Sequence, residues 1–340
     1  MRVGIVGLPN AGKSTLFNAL TQAGAEAAEY PFTTVDPNVA IVPVPDARLD
    51  RIADVLGVER RVREQIEFVD IAGLVRGAHA GEGLGNRFLG QIRDVDAILH
   101  VVRAFEHPQV AHPHGEVDPA ADLDVVQAEL VLADLETAQR RLADAERALG
   151  GGDKSARADV ELWQRVVAEL GAGRPAPPEV GLLTSKPALV VANVGEGDEP
   201  PAALAHERRV VAVCALDEAE LGALDPEEAA QMRTDLGLES GALDRVIAAA
   251  YELLDLVTFF TAVGATEVRA RALTRGGTAW DAAGKVHTDM QKGFVRAEVI
   301  GWEELVDAGS FARAREQGKL RIEGRDYVVA DGDVVTIKFT

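Results

Sequence analysis

GLPNAGKS, residues 7–14, stands between the apolar run Val3 to Val6 and a stretch of helical character that starts near Thr15. The octapeptide satisfies GxxxxGK[ST] in the strand-to-helix context that gives this pattern its meaning. Gly7 and Gly12 let the backbone wrap so that successive N–H groups turn inward, forming an anion nest at the positive end of a helix. The amides of Asn10, Ala11, Gly12, Lys13, Ser14 and Thr15 are therefore expected to line a chain of phosphates. Lys13 is expected to reach the outer phosphates, a catalytic as well as a binding role, and the Ser14 hydroxyl to ligate Mg²⁺.

Downstream, Asp70 closes the apolar strand Ile66 to Val69 and begins Asp70, Ile71, Ala72, Gly73. A carboxylate at that strand end can hold the metal directly or through water, and the Gly73 N–H is placed to meet a γ-phosphate. Between the two motifs lies Phe32, Thr33, Thr34, Val35, where a threonine could complete the Mg²⁺ shell only while the γ-phosphate is present. Thr34 is favoured over Thr33. Leu74 follows Gly73 where related enzymes carry a glutamine that orients water, and leucine cannot hydrogen-bond water. Another group is needed, and residues 105–119 offer His107, His112 and His114. The sequence around Gly77, Gly81, Gly83 and Gly85 is expected to move.

The apolar runs Ala97 to Val102, Ala188 to Ala192 and Val210 to Val213 complete a βα alternation that predicts a doubly wound parallel sheet, with ligands beyond the carboxyl ends of its strands. Residues 123–170 break that pattern. Leu135, Leu142 and Leu149 lie seven apart with Ala138 and Ala145 between them, a heptad seam; Leu162, Val166 and Leu170 supply a second stripe after Gly150, Gly151 and Gly152. An inserted antiparallel two-helix arm is expected, ending near Pro175, Pro177 and Pro178, with two ordinary surface helices as the alternative. From about residue 268 the reading changes to short strands, Glu267 to Ala272, Phe294 to Ile300, Tyr327 to Val329 and Val334 to Phe339, with a helix around Trp280 to Met290. The expected organisation is a P-loop domain in two parts, 1–122 and 180–267, an arm at 123–179 and a small α+β module at 268–340.

With 340 residues, roughly two to three domains are expected. No apolar run is long enough for a membrane span. Met1 and Arg2 lead straight into the first strand, so no secretory leader is expected, and Cys214 is the only cysteine, which excludes internal disulfides and cysteine–zinc clusters. A soluble, cytoplasmic protein is expected. The formal charge of −20 argues against a chain that coats nucleic acid throughout. Residues 268–340 carry 12 basic and 11 acidic side chains, against 23 and 44 elsewhere, so a nucleic-acid contact is expected in the C-terminal part if anywhere.

Guanine readers carry Asn-Lys-x-Asp after a later strand, whose Asp accepts from guanine N1 and N2. Here Asn193, Val194, Gly195, Glu196 follow the strand at 188–192: the lysine is missing and the carboxylate is one methylene longer. Adenine, with an acceptor at N1 and a donor at N6, suits a displaced carboxylate and backbone groups better. ATP is therefore expected over GTP. Val194 is expected to pack on the base, and Cys214, Ala215 and Leu216 to lend backbone N–H groups.

In this order, GLPNAGKSTLFNAL, YPFTTVDPN, DIAGLVRGAHAGEGLGN, the NxxE at Asn193 and Glu196, and AAGKVHTDMQKGFVRAEVI resemble the YchF/Obg-like ATPase family of the TRAFAC class, across nearly the whole chain. The resemblance implies a P-loop domain interrupted by a helical arm, a C-terminal β-grasp (TGS) domain, ATP hydrolysis, and association with the ribosome, the large subunit in particular, with RNA contact through the TGS-like domain. By position, His112 matches the histidine that the family uses in place of glutamine. Asn10 matches the asparagine with which related enzymes hold K⁺, which makes potassium stimulation a secondary expectation. A GTPase of the same fold, and a nucleotide-gated ribosome- or RNA-binding module with negligible turnover, are the rival readings.

Overall fold

The computed structural model describes residues 1–26, 38–71, 84–113, 115–207, 209–235, 241–263 and 266–340. Thr33, Thr34, Gly73, Leu74 and His114 lie outside them. In chain order the elements are β1 (Arg2–Val6), α1 (Lys13–Glu26), β2 (Val39–Pro43), α2 (Ala47–Leu56), β3 (Arg61–Val62), β4 (Gln65–Asp70), α3 (Leu84–Arg93), β5 (Ala97–Ala104), α4 (Pro119–Gly150) and α5 (Ala156–Gly171). They continue with β6 (Ala188–Val194), β7 (Val210–Val213), α6 (Ala215–Leu221), α7 (Pro226–Asp235), α8 (Ala242–Leu253), β8 (Leu256–Val263), β9 (Glu267–Thr274), α9 (Ala279–Val286), α10 (Thr288–Lys292), β10 (Phe294–Gly301), α11 (Trp302–Ala308), α12 (Phe311–Glu316), β11 (Arg321–Glu323) and β12 (Asp333–Phe339). No helix among the described residues is long and apolar enough to cross a membrane.

The chain divides into two compact units. The first, Met1–Val42 with Glu67–Val246, holds a sheet of order β2-β4-β1-β5-β6-β7. The pairs β1–β4, β1–β5, β5–β6 and β6–β7 are parallel. Val3, Ile5 and Val6 of β1 and Ile98, Leu99, Val101 and Val102 of β5 are buried, as continuous apolar strands covered on both faces should be. β1 has β4 on one side and β5 on the other, with the earlier strands β2 and β4 to one side and the later strands β5, β6 and β7 to the other, so the strand order reverses at its carboxyl end, where an open α/β sheet offers a crevice.

α4 starts at Pro119, with Asp118 as N-cap accepting from the Ala120 and Ala121 N–H groups. Its first half is not an arm. Leu123 packs with Val102, Val190 and Val194, and Val126, Leu130 and Ala133 pack with Ile71, Ile92 and Ile98. The boundary expected at residue 123 therefore falls inside one continuous helix whose proximal turns belong to the domain core. Beyond them Ala138 and Ala145, flanked by Leu135, Leu142 and Leu149, pack on Val160, Trp163, Val166 and Leu170 of α5. The heptad seam is real, and the alternative of two separate surface helices is set aside. At the arm's base Asp134 accepts hydrogen bonds from Leu183 N (3.0 Å), Thr184 N (2.8 Å) and the Thr184 hydroxyl (2.7 Å), which anchors the returning chain.

The second unit, Pro43–Ile66 with Ile247–Thr340, holds a sheet of order β11-β10-β12-β8-β9-β3. Two sequence expectations are corrected here. The C-terminal module begins well before residue 268, because β8 pairs antiparallel with β9 along its length. It also takes in residues 43–66, expected in the first domain. Leu49, Ile52 and Ala53 of α2 are completely buried against Phe260, Val268, Ile300 and Val334. Arg48 ties the helix start to Asp46 (2.8 Å) and Asp331 (2.6 Å). Tyr327 to Val329 is not a strand; Val328 makes one isolated bridge to Thr278, and β11 lies earlier. Ile52→Ala is expected to cost about 2–5 kcal/mol by leaving a cavity. Urea unfolding that follows β8 and β10 by hydrogen exchange would read the loss.

Candidate functional site

At the end of β1 the chain enters the phosphate loop, and two glycines are demanded by their surroundings. A Cβ on Gly7 would stand 2.2 Å from the Val101 carbonyl oxygen of β5. Gly12 has φ +91° and a Cβ there would stand 2.0 Å from Asn193 Nδ2. Between them Asn10 adopts φ +63°, a left-handed conformation that asparagine tolerates better than most side chains. Its amide Nδ2 donates to the Ala111 carbonyl at 3.0 Å, so the loop is pinned to the segment that carries His112.

α1 starts at Lys13, which puts the unsatisfied amides of its first turn at the loop. Lys13 is 7 % exposed, and its Nζ donates to the Leu8 carbonyl at 2.8 Å. Burial lowers the Lys13 pKa and raises that of Asp70; the attraction between the two opposes both shifts, and a hydrogen bond with Ser14 also favours the Asp70 carboxylate. A half-buried carboxylate beside a serine hydroxyl, at the amino end of a helix, is a donor set of hard oxygens that fits Mg²⁺ completed by phosphate oxygens and water.

Asn193 is the junction of the site. It is 6 % exposed; its Nδ2 donates to the Ala11 carbonyl at 3.0 Å, and its Oδ1 accepts from the Ala215 N–H at 3.1 Å. The side chain thus clamps the phosphate loop to the start of α6. Ala215 is buried, and its N–H, expected to face a base, is spent on this clamp. Leu216 is 60 % exposed and Glu196 lies on the surface. Burial pushes the Cys214 thiol up to about 11, so it remains a protonated, unreactive group at neutral pH.

Val194 corrects the sequence reading. It is 5 % exposed and packs with Val102, Leu123, Val190 and Ala192 rather than facing a base. The cause is the pleat of β6: Asn193 turns to the phosphate loop, so its neighbour must turn to the other face.

His112 is held in the loop before α4. Its Nε2 lies 2.9 Å from Asp122 Oδ2, with the two side chains 4 % and 2 % exposed. Asp122 was not singled out by sequence, where an acid in the first turn of a helix reads as a partner for the helix dipole. Ala11, Gly12, Lys13, Ser14, Asp70 and Asn193 thus converge, and Asn10 brings the His112 segment to the same loop. Thr34 and Gly73 fall on undescribed residues.

A family model described as 50S ribosome-binding GTPase matches residues 2–132, and one described as a YchF-GTPase C-terminal protein of unknown function matches residues 256–340. The chain is similar to proteins named "Ribosome-binding ATPase YchF". It is 46 % identical to that of Escherichia coli O157:H7, covering 99 % of each chain, and 44 % identical to that of Bacillus subtilis strain 168, covering 100 % of this chain and 99 % of the relative. Among solved structures, the YchF GTPase of Schizosaccharomyces pombe superposes with a TM-score of 0.87 at 31 % identity, covering 99 % of this chain and 97 % of the other.

Proposed function

The chain belongs to the YchF family, and from that membership we propose that it is a Mg²⁺-dependent nucleotide hydrolase that prefers ATP to GTP and acts as a cytoplasmic, ribosome-associated switch. The observation that carries the reading is the loop from Gly7 to Ser14. Its backbone is bent into shape by Gly7 and Gly12, with Lys13 buried inside it and Asp70 hydrogen-bonded to Ser14 beneath it. A site so preorganised meets phosphate charge without having to rearrange, which is where most catalytic stabilisation of phosphoryl transfer resides.

In this reading the amides of residues 10–15 and the Lys13 ammonium bind and orient the β- and γ-phosphates. Ser14 and Asp70 would hold Mg²⁺, joined by Thr34 when the γ-phosphate is present; the ion, when bound, would neutralise charge on the phosphate oxygens. His112 takes the place of the absent glutamine and orients the attacking water. Gly73 meets the γ-phosphate, so that hydrolysis releases the segments at Thr34 and Gly73 and changes affinity for the ribosome, at its large subunit. K⁺ would be held by Asn10, whose amide nitrogen donates to Ala111 O and whose side-chain oxygen would be the ligating atom. The TGS-like module supplies RNA contact.

The relatives' names divide between ATPase and GTPase, and the residues of this chain favour ATP. Asn193 serves as a clamp, Val194 stands where guanine readers have lysine, and Glu196 is exposed and longer than the aspartate that guanine needs. Calorimetric titration with ATP and GTP in Mg²⁺, with and without K⁺, joined to phosphate-release assays, tests this. ATP is expected to bind and turn over at least about tenfold better, roughly 1.4 kcal/mol. Equal or better use of GTP would overturn the base assignment, and tight binding without phosphate release would favour a nucleotide-gated binding module.

A further inference from the structure

Asp122 and His112 form a buried pair beside the phosphate loop, and only the histidine has a role in the reading above. We propose that Asp122 is a positioning residue for hydrolysis: it fixes the ring orientation and tautomer of His112, so that Nδ1 is the nitrogen presented to the attacking water. This rests on the reading of His112 as the group that orients water.

The argument begins with hydrogen-bond chemistry. A carboxylate oxygen only accepts, so a neutral imidazole that meets it through Nε2 carries its proton there, which leaves Nδ1 as the ring's acceptor. An acceptor nitrogen is what water needs when one of its O–H bonds must be aligned and its oxygen lone pair aimed at phosphorus. No bond to His112 forms or breaks in this step. The role is that of the third group in hydrolytic triads, where a buried carboxylate holds an imidazole in its working tautomer.

The geometry suits such a task. The Nε2···Oδ2 distance is 2.9 Å, and both side chains are almost fully buried, which limits competition from bulk water. Asp122 lies in the first turn of α4, where the helix dipole favours negative charge, and its own N–H is used in an intrahelical bond to Asp118 O at 2.9 Å. Leu123, Val126 and Leu130 fix that part of α4 in the core, so the carboxylate is carried by a rigid element. On the other side, Asn10 Nδ2 holds the carbonyl of Ala111, the residue before the histidine. The imidazole is thus steadied by the phosphate loop at its backbone and by α4 at its ring, and the same helix runs on to form the arm.

A double-mutant cycle on the full-length protein decides the matter, with single-turnover phosphate release and ATP affinity measured for wild type, His112→Ala, Asp122→Asn and the double variant. Each single substitution is expected to slow hydrolysis by at least about tenfold, with ATP affinity within about twofold of wild type, and the double variant to be no slower than His112→Ala alone, as for groups that act as a unit. Asp122→Glu keeps the acceptor and is expected to recover at least about fivefold over Asp122→Asn, an order of effect in line with rescue of an oriented base. A wild-type rate in Asp122→Asn, additive losses in the double variant, or no recovery by Asp122→Glu would each overturn the proposal. If Asp122→Asn fails to fold, Asp122→Ser on the wild-type and His112→Ala backgrounds supplies the same cycle: an equal fractional loss on both backgrounds overturns it. A wild-type rate in His112→Ala overturns instead the reading of His112 on which it stands.

Discussion

Replacing Lys13 with alanine is expected to reduce ATP turnover by about 10²–10³-fold, the loss that follows removal of one preorganised charge stabiliser from a reaction centre. The size follows from burial. Lys13 is 7 % exposed, so its ammonium acts at short range with little solvent screening, and it is held in place by the Leu8 carbonyl at 2.8 Å. Burial works against the charge and Asp70 works for it; a triphosphate would add far more favourable charge, so nucleotide binding should complete the neutralisation that Asp70 begins. Lys13→Arg should not rescue the variant, since a planar fork cannot occupy the site of a compact ammonium enclosed by the loop. Steady-state phosphate release, with ATP affinity from calorimetry, measures both losses. Turnover within about threefold of wild type would remove Lys13 from the chemistry.

Gly12→Ala is expected to weaken ATP binding, by a different route. The new methyl group would need φ +91°, a region costing about 1–3 kcal/mol for a residue with a side chain. It would also collide with Asn193 Nδ2 at 2.0 Å. That amide has no easy escape, because it is buried and tied at one end to Ala11 O and at the other to Ala215 N–H. The loop, or the clamp to α6, must therefore shift, and ATP affinity should fall by about tenfold or more, a change of at least roughly 1.4 kcal/mol. Calorimetry reads the affinity, and hydrogen exchange at Ala215 reads the clamp. Unchanged affinity would mean that the loop shape seen here is not the shape that binds phosphate.

Much of this could be read from the chain because it depends on local rules. The strand, glycine turn and helix around residues 7–14 are contiguous in sequence, so one pattern specifies both the geometry and the chemistry of the phosphate loop. The parallel strands announce themselves as unbroken apolar runs because both of their faces are covered, and the arm announces itself by spacing, since Leu135, Ala138, Leu142, Ala145 and Leu149 must meet α5 at regular intervals.

What required the tertiary structure has a common cause: it depends on residues far apart in sequence, or on which of two faces is buried. The apolar stripe of α2 shows that it must be covered, but not that Phe260 and Val268 of the later unit cover it. Val194 and Asn193 are neighbours, and only the sheet decides that the asparagine faces the phosphate loop while the valine enters the core. Asp122 reads as an ordinary helix-start acid until the fold brings His112 within 2.9 Å of it. Sequence alone thus determined that this protein has a phosphate loop, with Ser14 at its end and Asp70 closing a nearby strand, and a helical arm. The fold alone decided where the arm truly begins, which segments complete the C-terminal unit, and what holds the histidine, because hydrogen bonds and buried faces are chosen by spatial neighbours and not by position along the chain.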